Sequence, residues 1–257
     1  RNEAFPHGEI HVAFVPDEEI GLRGSRHIDF DKFKVDFAYT IDCCELGEVV
    51  FETFNAGQAE LKITGVTAHP MNAKNVLINP IMLAHDFIGL LNRNETPEHT
   101  EGKEGYIWVT GIKSDALNCS VSLNIRDHDK NKYEEKKALL MRNLNSMQQK
   151  NPRAKMSLEI KDVYGNIADS LTDKNTLCID LIYSALENLK IKPKTIAMRG
   201  GTDGSFISTK GIPSPNYFTG AHNFHSSAEF LPMSAFLKSC LTSINIVGLA
   251  SLTPLQK

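Results

Sequence analysis

Four stretches of this chain carry side chains whose types and spacing could do chemistry. Pro16-Asp17-Glu18-Glu19 places carboxylates side by side. Such groups repel one another unless solvent or a cation neutralises them. Asp42 closes the apolar run Tyr39-Thr40-Ile41. The stretch from Thr219 to Glu229 holds His222, His225 and Glu229, and imidazole nitrogen with carboxylate oxygen is a donor set that suits zinc. In Arg199-Gly200-Gly201-Thr202-Asp203-Gly204, glycines let backbone N–H groups approach an anion, and a guanidinium adds a fork for a carboxylate. The Gly-Lys-Ser/Thr of a phosphate loop is missing, so a substrate carboxylate is the better ligand. Each stretch also has a plain structural reading: a solvated acidic turn, a turn-forming Asp, a surface loop with incidental histidines, an ordinary ion pair. Cys43-Cys44 has poor geometry for sharing one tetrahedral ion and no C-x-x-C partner, so both are read as packing residues.

The elements that must position these groups follow from the apolar pattern. Residues 9–15 read as a strand closed by Pro16, which puts the acidic turn at a strand's carboxyl end. Residues 37–41 form a second strand ending at Asp42, and 47–54 a third. Ligands in open α/β sheets collect at such carboxyl ends, so Glu18, Glu19 and Asp42 converge if their strands are neighbours. Strand 59–66, helix 80–92, strands 105–113 and 118–127, helix 132–150 and strand 155–163 follow in the order βαββαβ, the ferredoxin-like arrangement. Helix 174–189, strand 194–197, a short helix ending near Lys210, strand 213–218 and an amphipathic helix 233–252 return to α/β alternation. The expected organisation is a mixed α/β sheet flanked by helices, residues 1–55 and 164–257, with an α+β domain inserted at 56–163.

Bulk properties exclude several classes. With 28 Lys and Arg against 31 Asp and Glu, nothing suggests a phosphate-tracking surface, and no nucleic-acid partner is expected. The longest apolar stretch, around 78–91, is interrupted by Asn79, Pro80, His85 and Asp86, so no membrane span is expected. Five scattered cysteines and an N-terminus without an apolar signal core fit a reducing cytoplasm. Opening on Arg1 rather than Met, just before a strand-like run, the sequence is expected to be a cleaved or truncated form.

Taken in order, Ala13-Phe14-Val15-Pro16-Asp17-Glu18-Glu19, Tyr39-Thr40-Ile41-Asp42, Gly65-Val66-Thr67-Ala68-His69-Pro70, Ile125-Arg126-Asp127, the Arg199–Gly204 turn and the segment 218–230 resemble the M20 metallopeptidases, in particular the aminopeptidases that cleave tripeptides. The resemblance runs from about Gly8 to about Ser251. It implies a zinc-peptidase-like α/β domain interrupted by a ferredoxin-like lid and a site with two zinc ions. It further implies Glu18 as general base, Glu19 and His225 as ligands of one ion, and Asp42 as ligand of the other. His69 would stabilise the oxyanion, and Arg126 and Arg199 would clamp the C-terminal carboxylate of a short peptide. An upstream His-x-Asp pair and a bridging Asp that the family uses match nothing in this chain, so the isolated chain is expected to be inactive. A homodimer is compatible with the lid. A dipeptidase, a deacylase and a catalytically silent scaffold remain as alternatives. Cys43-Cys44, Met71-Asn72 and Ala228 depart from the residues usual in the family.

Overall fold

The computed structural model describes residues 5–42 and 44–253. In chain order the elements are β1 (Glu48–Glu52), β2 (Asn55–Thr64), α1 (Pro80–Gly89), β3 (Tyr106–Ser114), β4 (Asn118–Asp127), α2 (Lys130–Lys150), β5 (Lys155–Tyr164), α3 (Leu177–Asn188), β6 (Lys194–Ala197), α4 (Asp203–Ser208), β7 (Asn216–Tyr217) and α5 (Met233–Leu252). Two compact units share the chain. One comprises the residues up to Thr53 and those from Gly165 onward, and the other is Phe54–Tyr164.

The second unit is an antiparallel sheet in the order β3-β4-β2-β5. Strand β2 is interior because it pairs with β4 on one side and β5 on the other, and its side chains alternate: Ala59, Leu61 and Ile63 are buried, while Gln58 and Lys62 face outward. Two helices cover the buried face. Asn79 starts α1 by accepting from the Ile81 N–H at 2.9 Å, with Pro80 at the first helical position. Asp129 starts α2 by accepting from the Lys132 N–H at 3.0 Å, and the helix buries Tyr133, Leu140, Leu144 and Met147 along one stripe. These meet Leu61, Phe87, Val121, Leu123 and Ile125 in one core. The βαββαβ order and ferredoxin-like strand arrangement are those expected from the sequence.

The first unit carries a mixed sheet, β6-β1-β7, with β1 parallel to β6 and antiparallel to β7. Val49, Val50, Tyr217 and Phe218 pack against Leu181, Ile182, Ala185 and Leu186 of α3 and Ile246 of α5.

Two expectations for this unit need correction. Residues 9–15 are not a strand: they form no ladder among the described residues, and Val12 and Phe14 are 70% and 94% exposed. Alternating apolar residues favour extended backbone, but a strand exists only where a neighbour takes up its N–H and C=O groups. Residues 37–41 shrink to a single bridge, Thr40 to Asn216, beside bonds from Ala38 N to Pro213 O and Thr40 N to Pro215 O at 2.9 and 3.3 Å. Pro213 and Pro215 have no N–H to return, so the facing strand contracts to β7. Helix α5 is by length and composition long and apolar enough to cross a membrane. It buries Ala235, Ser239, Thr242 and Ile246, and it packs on α3.

Candidate metal and catalytic site

Backbone bonds pull the acidic segment of the first unit into a tight turn. The N–H groups of Gly21 and Leu22 donate to Glu18 O at 3.1 and 2.9 Å, and that of Gly24 donates to Pro16 O at 3.1 Å. A Cβ at Gly24 would collide with Pro16 O, so the turn closes only around glycine. Asp17 and Leu22 hold positive φ angles of 61° and 55°. Left-handed backbone in residues with a Cβ costs energy that the surrounding bonds must offset, and such positions gather at functional sites.

The histidine loop is built in a similar way. His222 and Phe230 close it through a two-way backbone pair at 2.9 and 3.2 Å. Inside it, Asn223 Nδ2 donates to Ala228 O at 3.1 Å, and the His225 N–H donates to Glu229 Oε2 at 3.0 Å. Asn223 and His225 have φ angles of 59° and 62°. The strained loop carries His225 to Glu19: Nε2 lies 3.1 Å from Glu19 Oε1, across 206 positions of sequence. Two donors on one zinc at 2.0–2.2 Å in tetrahedral geometry stand roughly 3.3 Å apart, so this spacing and donor chemistry suit a shared ion. Both side chains remain open to solvent, 68% exposed for Glu19 and 73% for His225.

Glu18 points into a different environment. Its pKa is pushed up to about 7, mainly because burial disfavours the charged form, with Asp42, Glu19 and Asp203 adding negative charge and His225 opposing them. Asp42 is thus placed within the electrostatic reach of Glu18. Among the described residues, no group of three or more His, Cys, Asp or Glu side chains is arranged to hold a metal ion. The structure therefore brings Glu19 and His225 into contact and puts Asp42 near Glu18, but it does not assemble the three expected ligands as one cluster. Cys43 lies outside the described residues. Cys44 is buried in the core of the unit, with φ 71°.

The glycine-rich turn opens α4. Two of its N–H groups are taken up locally: Gly204 N donates to Thr202 Oγ1 and Thr202 N to Ser205 Oγ, both at 3.2 Å, a capping box at the start of α4. The next residue is Asp203, a buried carboxylate whose Oδ1 has no hydrogen-bond partner. Thr202 and Gly204 therefore have no N–H to spare for an anion in this turn. Arg199, half-buried, stands at its entrance. In the second unit, Arg126 Nη1 donates to Gly57 O and Ile125 O, each at 2.9 Å, and the guanidinium sits over the Tyr164 ring. His69 is exposed, and its Nδ1 accepts from the Met71 N–H at 3.2 Å. That bond puts the neutral ring's proton on Nε2, making this nitrogen a donor.

Asp203 has no role in the expectations from sequence, and Glu229 enters them only as a zinc-type donor of the histidine loop. Asp203 sits inside a motif whose glycines drew attention to anions, and only its nearness to Glu18 marks it out. Glu229 is identified by its bond to the His225 backbone.

Residues 51–152 match the peptidase dimerisation domain of the M20 family. A peptidase T-like protein of Yersinia pestis is 56% identical over 233 residues, 91% of this chain and 57% of the relative. A peptidase T-like protein of Rhizobium meliloti is 47% identical over 245 residues, 95% of this chain and 60% of the relative. This chain belongs to the M20 peptidase family. It shares its fold with solved structures. A Staphylococcus aureus tripeptidase superposes with a TM-score of 0.80 at 21% identity, covering 97% of this M20 chain and 66% of that one. A Bacillus subtilis dinuclear metal-binding peptidase of the same family gives 0.68 at 14% identity, covering 94% and 65%. The chain spans 57% and 60% of the two curated relatives named above.

Proposed function

We propose that this M20 chain is the larger part of a zinc-dependent aminopeptidase that removes the N-terminal residue from tripeptides. The observation that carries the reading is the contact between Glu19 Oε1 and His225 Nε2, made by two strained turns and flanked by Glu18, whose pKa burial raises to about 7, into the range that suits a general base near neutral pH. Glu19 and His225 would hold one ion and Asp42 the other. Two zinc ions, when bound, lower the pKa of a water and polarise a scissile carbonyl. Glu18 takes the proton from the attacking water on its carboxylate and delivers it to the leaving amine. His69 offers its Nε2 proton to the developing oxyanion, and Arg126 and Arg199 hold the peptide's C-terminal carboxylate, which limits substrates to short peptides.

Three donors fall short of what two ions need, so the rest of the set belongs to the part of the relatives' length that this chain does not match. The isolated chain is accordingly inactive and binds zinc weakly. The alternative of a silent scaffold draws on the absence of a three-ligand group among the described residues. The dimerisation-domain match supports a homodimer, and the cytoplasm is the proposed location.

The deciding experiment uses the full-length enzyme. Chelator-sensitive release of the first residue from tripeptides is expected, and Glu18→Gln should lower kcat by about 10²- to 10⁴-fold with both metal ions retained. Undiminished turnover in that variant sinks the mechanism. A preference for N-acylated substrates would point instead to a deacylase, and stoichiometric tight zinc on the isolated chain would remove the incomplete-site reading.

A further inference from the structure

The points where the chain leaves the first unit and returns to it are joined by a buried string of hydroxyl and amide groups. At the exit, Thr53 is fully buried. Its N–H donates to Asn166 Oδ1 at 2.8 Å, and its hydroxyl accepts from the Ile167 N–H at 3.1 Å. Asn166 Oδ1 also accepts from the Ala168 N–H at 3.0 Å, capping the returning chain. Ser205 of α4, likewise fully buried, donates to Thr53 Oγ1 at 3.0 Å and accepts from the Thr202 N–H at 3.2 Å. Thr202 in turn donates its hydroxyl to Asn216 Oδ1 at 3.0 Å and lies 3.3 Å from Thr40 Oγ1.

Counting protons fixes the directions. A hydroxyl has one hydrogen to give. That of Thr202 is committed to Asn216, so Thr40 must be the donor in the Thr40–Thr202 pair. The Ser205 hydrogen goes to Thr53, which leaves the Thr53 hydrogen for Gly165 O at 3.5 Å. Valine and alanine would fill the same space but would impose no direction. A hydrogen-bonded hydroxyl string in a low-dielectric interior does, because any shift breaks bonds that its buried oxygens have no water to replace, although Asn216 Nδ2 at its end has no partner among the described residues.

We propose that this string is a positioning device, in which Thr53 and Ser205 hold the two chain crossings in register with Thr40 and thereby set the stance of Asp42, two residues on. The proposal rests on the reading of Asp42 as a metal ligand. It places Thr53 and Ser205 as positioning residues that touch neither metal nor substrate.

Full-length enzyme carrying Ser205→Ala, Thr53→Val or the hydroxyl-preserving Thr53→Ser tests it by steady-state kinetics and amide hydrogen exchange. Ser205→Ala and Thr53→Val should lower kcat about tenfold or more, with KM within about twofold, as small misplacements in active sites do. Thr53→Ser should restore kcat. Exchange at the Thr40, Thr202 and Ile167 amides should quicken in Ser205→Ala, while β2 and β4 keep their protection. If Thr53→Val does not fold, Ser205→Ala, which deletes one oxygen, carries the test. A lower Tm with kcat and Thr40 exchange unchanged would mean simple packing and overturn the proposal. Quickened exchange in a parent enzyme that cleaves no peptide would support the string and overturn only the exopeptidase reading.

Discussion

Backbone conformation and burial decide what the individual site residues can do. Five of the positive-φ residues, Asp17, Leu22, Cys44, Asn223 and His225, stand in or beside the candidate site turns. The acidic turn and the histidine loop hold that strain through their own hydrogen bonds, which makes Glu229 a supporting residue for His225. Glu229→Ala in the full-length enzyme should weaken zinc binding by about 10- to 100-fold, the usual effect of losing an outer-shell partner, measured by competition against a chelator. Unchanged affinity would free the loop from Glu229. The carboxylates and histidines themselves were legible, since Glu18, Glu19, Asp42 and His225 stand out by type. The tautomer of His69 and the supporting role of Glu229 were not, because both depend on hydrogen-bond partners that composition does not reveal.

Among the elements, the pairing of α2 with β5 ties the stability of the second unit to pH. Burial pushes the Asp162 carboxyl up, but bonds donated by Tyr133 and Lys137 outweigh it and hold the group below the ordinary range. A carboxyl depressed in the folded state contributes stability above its unfolded pKa, and that contribution is lost as pH falls through the folded value. Asp162→Asn should therefore reduce stability near neutrality and flatten the acid limb below about pH 4, read from urea unfolding at a series of pH values. A parallel curve for both proteins would remove the linkage. Gly57 belongs to the same arrangement, because a Cβ there would run into the Tyr133 hydroxyl.

Considered as a whole molecule, the chain is two units threaded by one polypeptide. The ends of the second unit lie on adjacent antiparallel strands, with Ala56 opposite Tyr164. Its core is contributed by its own helices and sheet. A fragment of residues 54–164 should consequently fold alone with a single cooperative transition, checked by circular dichroism and dispersed amide resonances. A molten or unfolded fragment would show that the insertion depends on its host.

The sequence by itself determined the second unit, since period-two strands, a 3.6-residue helix stripe and caps such as Asn79 and Asp129 are local signals that all favour one arrangement. It also singled out the residue types of the site. Only the tertiary structure decided that residues 9–15 form no ladder, that a bond across 206 positions joins Glu19 to His225, and that Thr40 and Thr53 belong to one buried string. These outcomes depend on which distant groups supply hydrogen-bond partners and exclude water, and no local pattern encodes that.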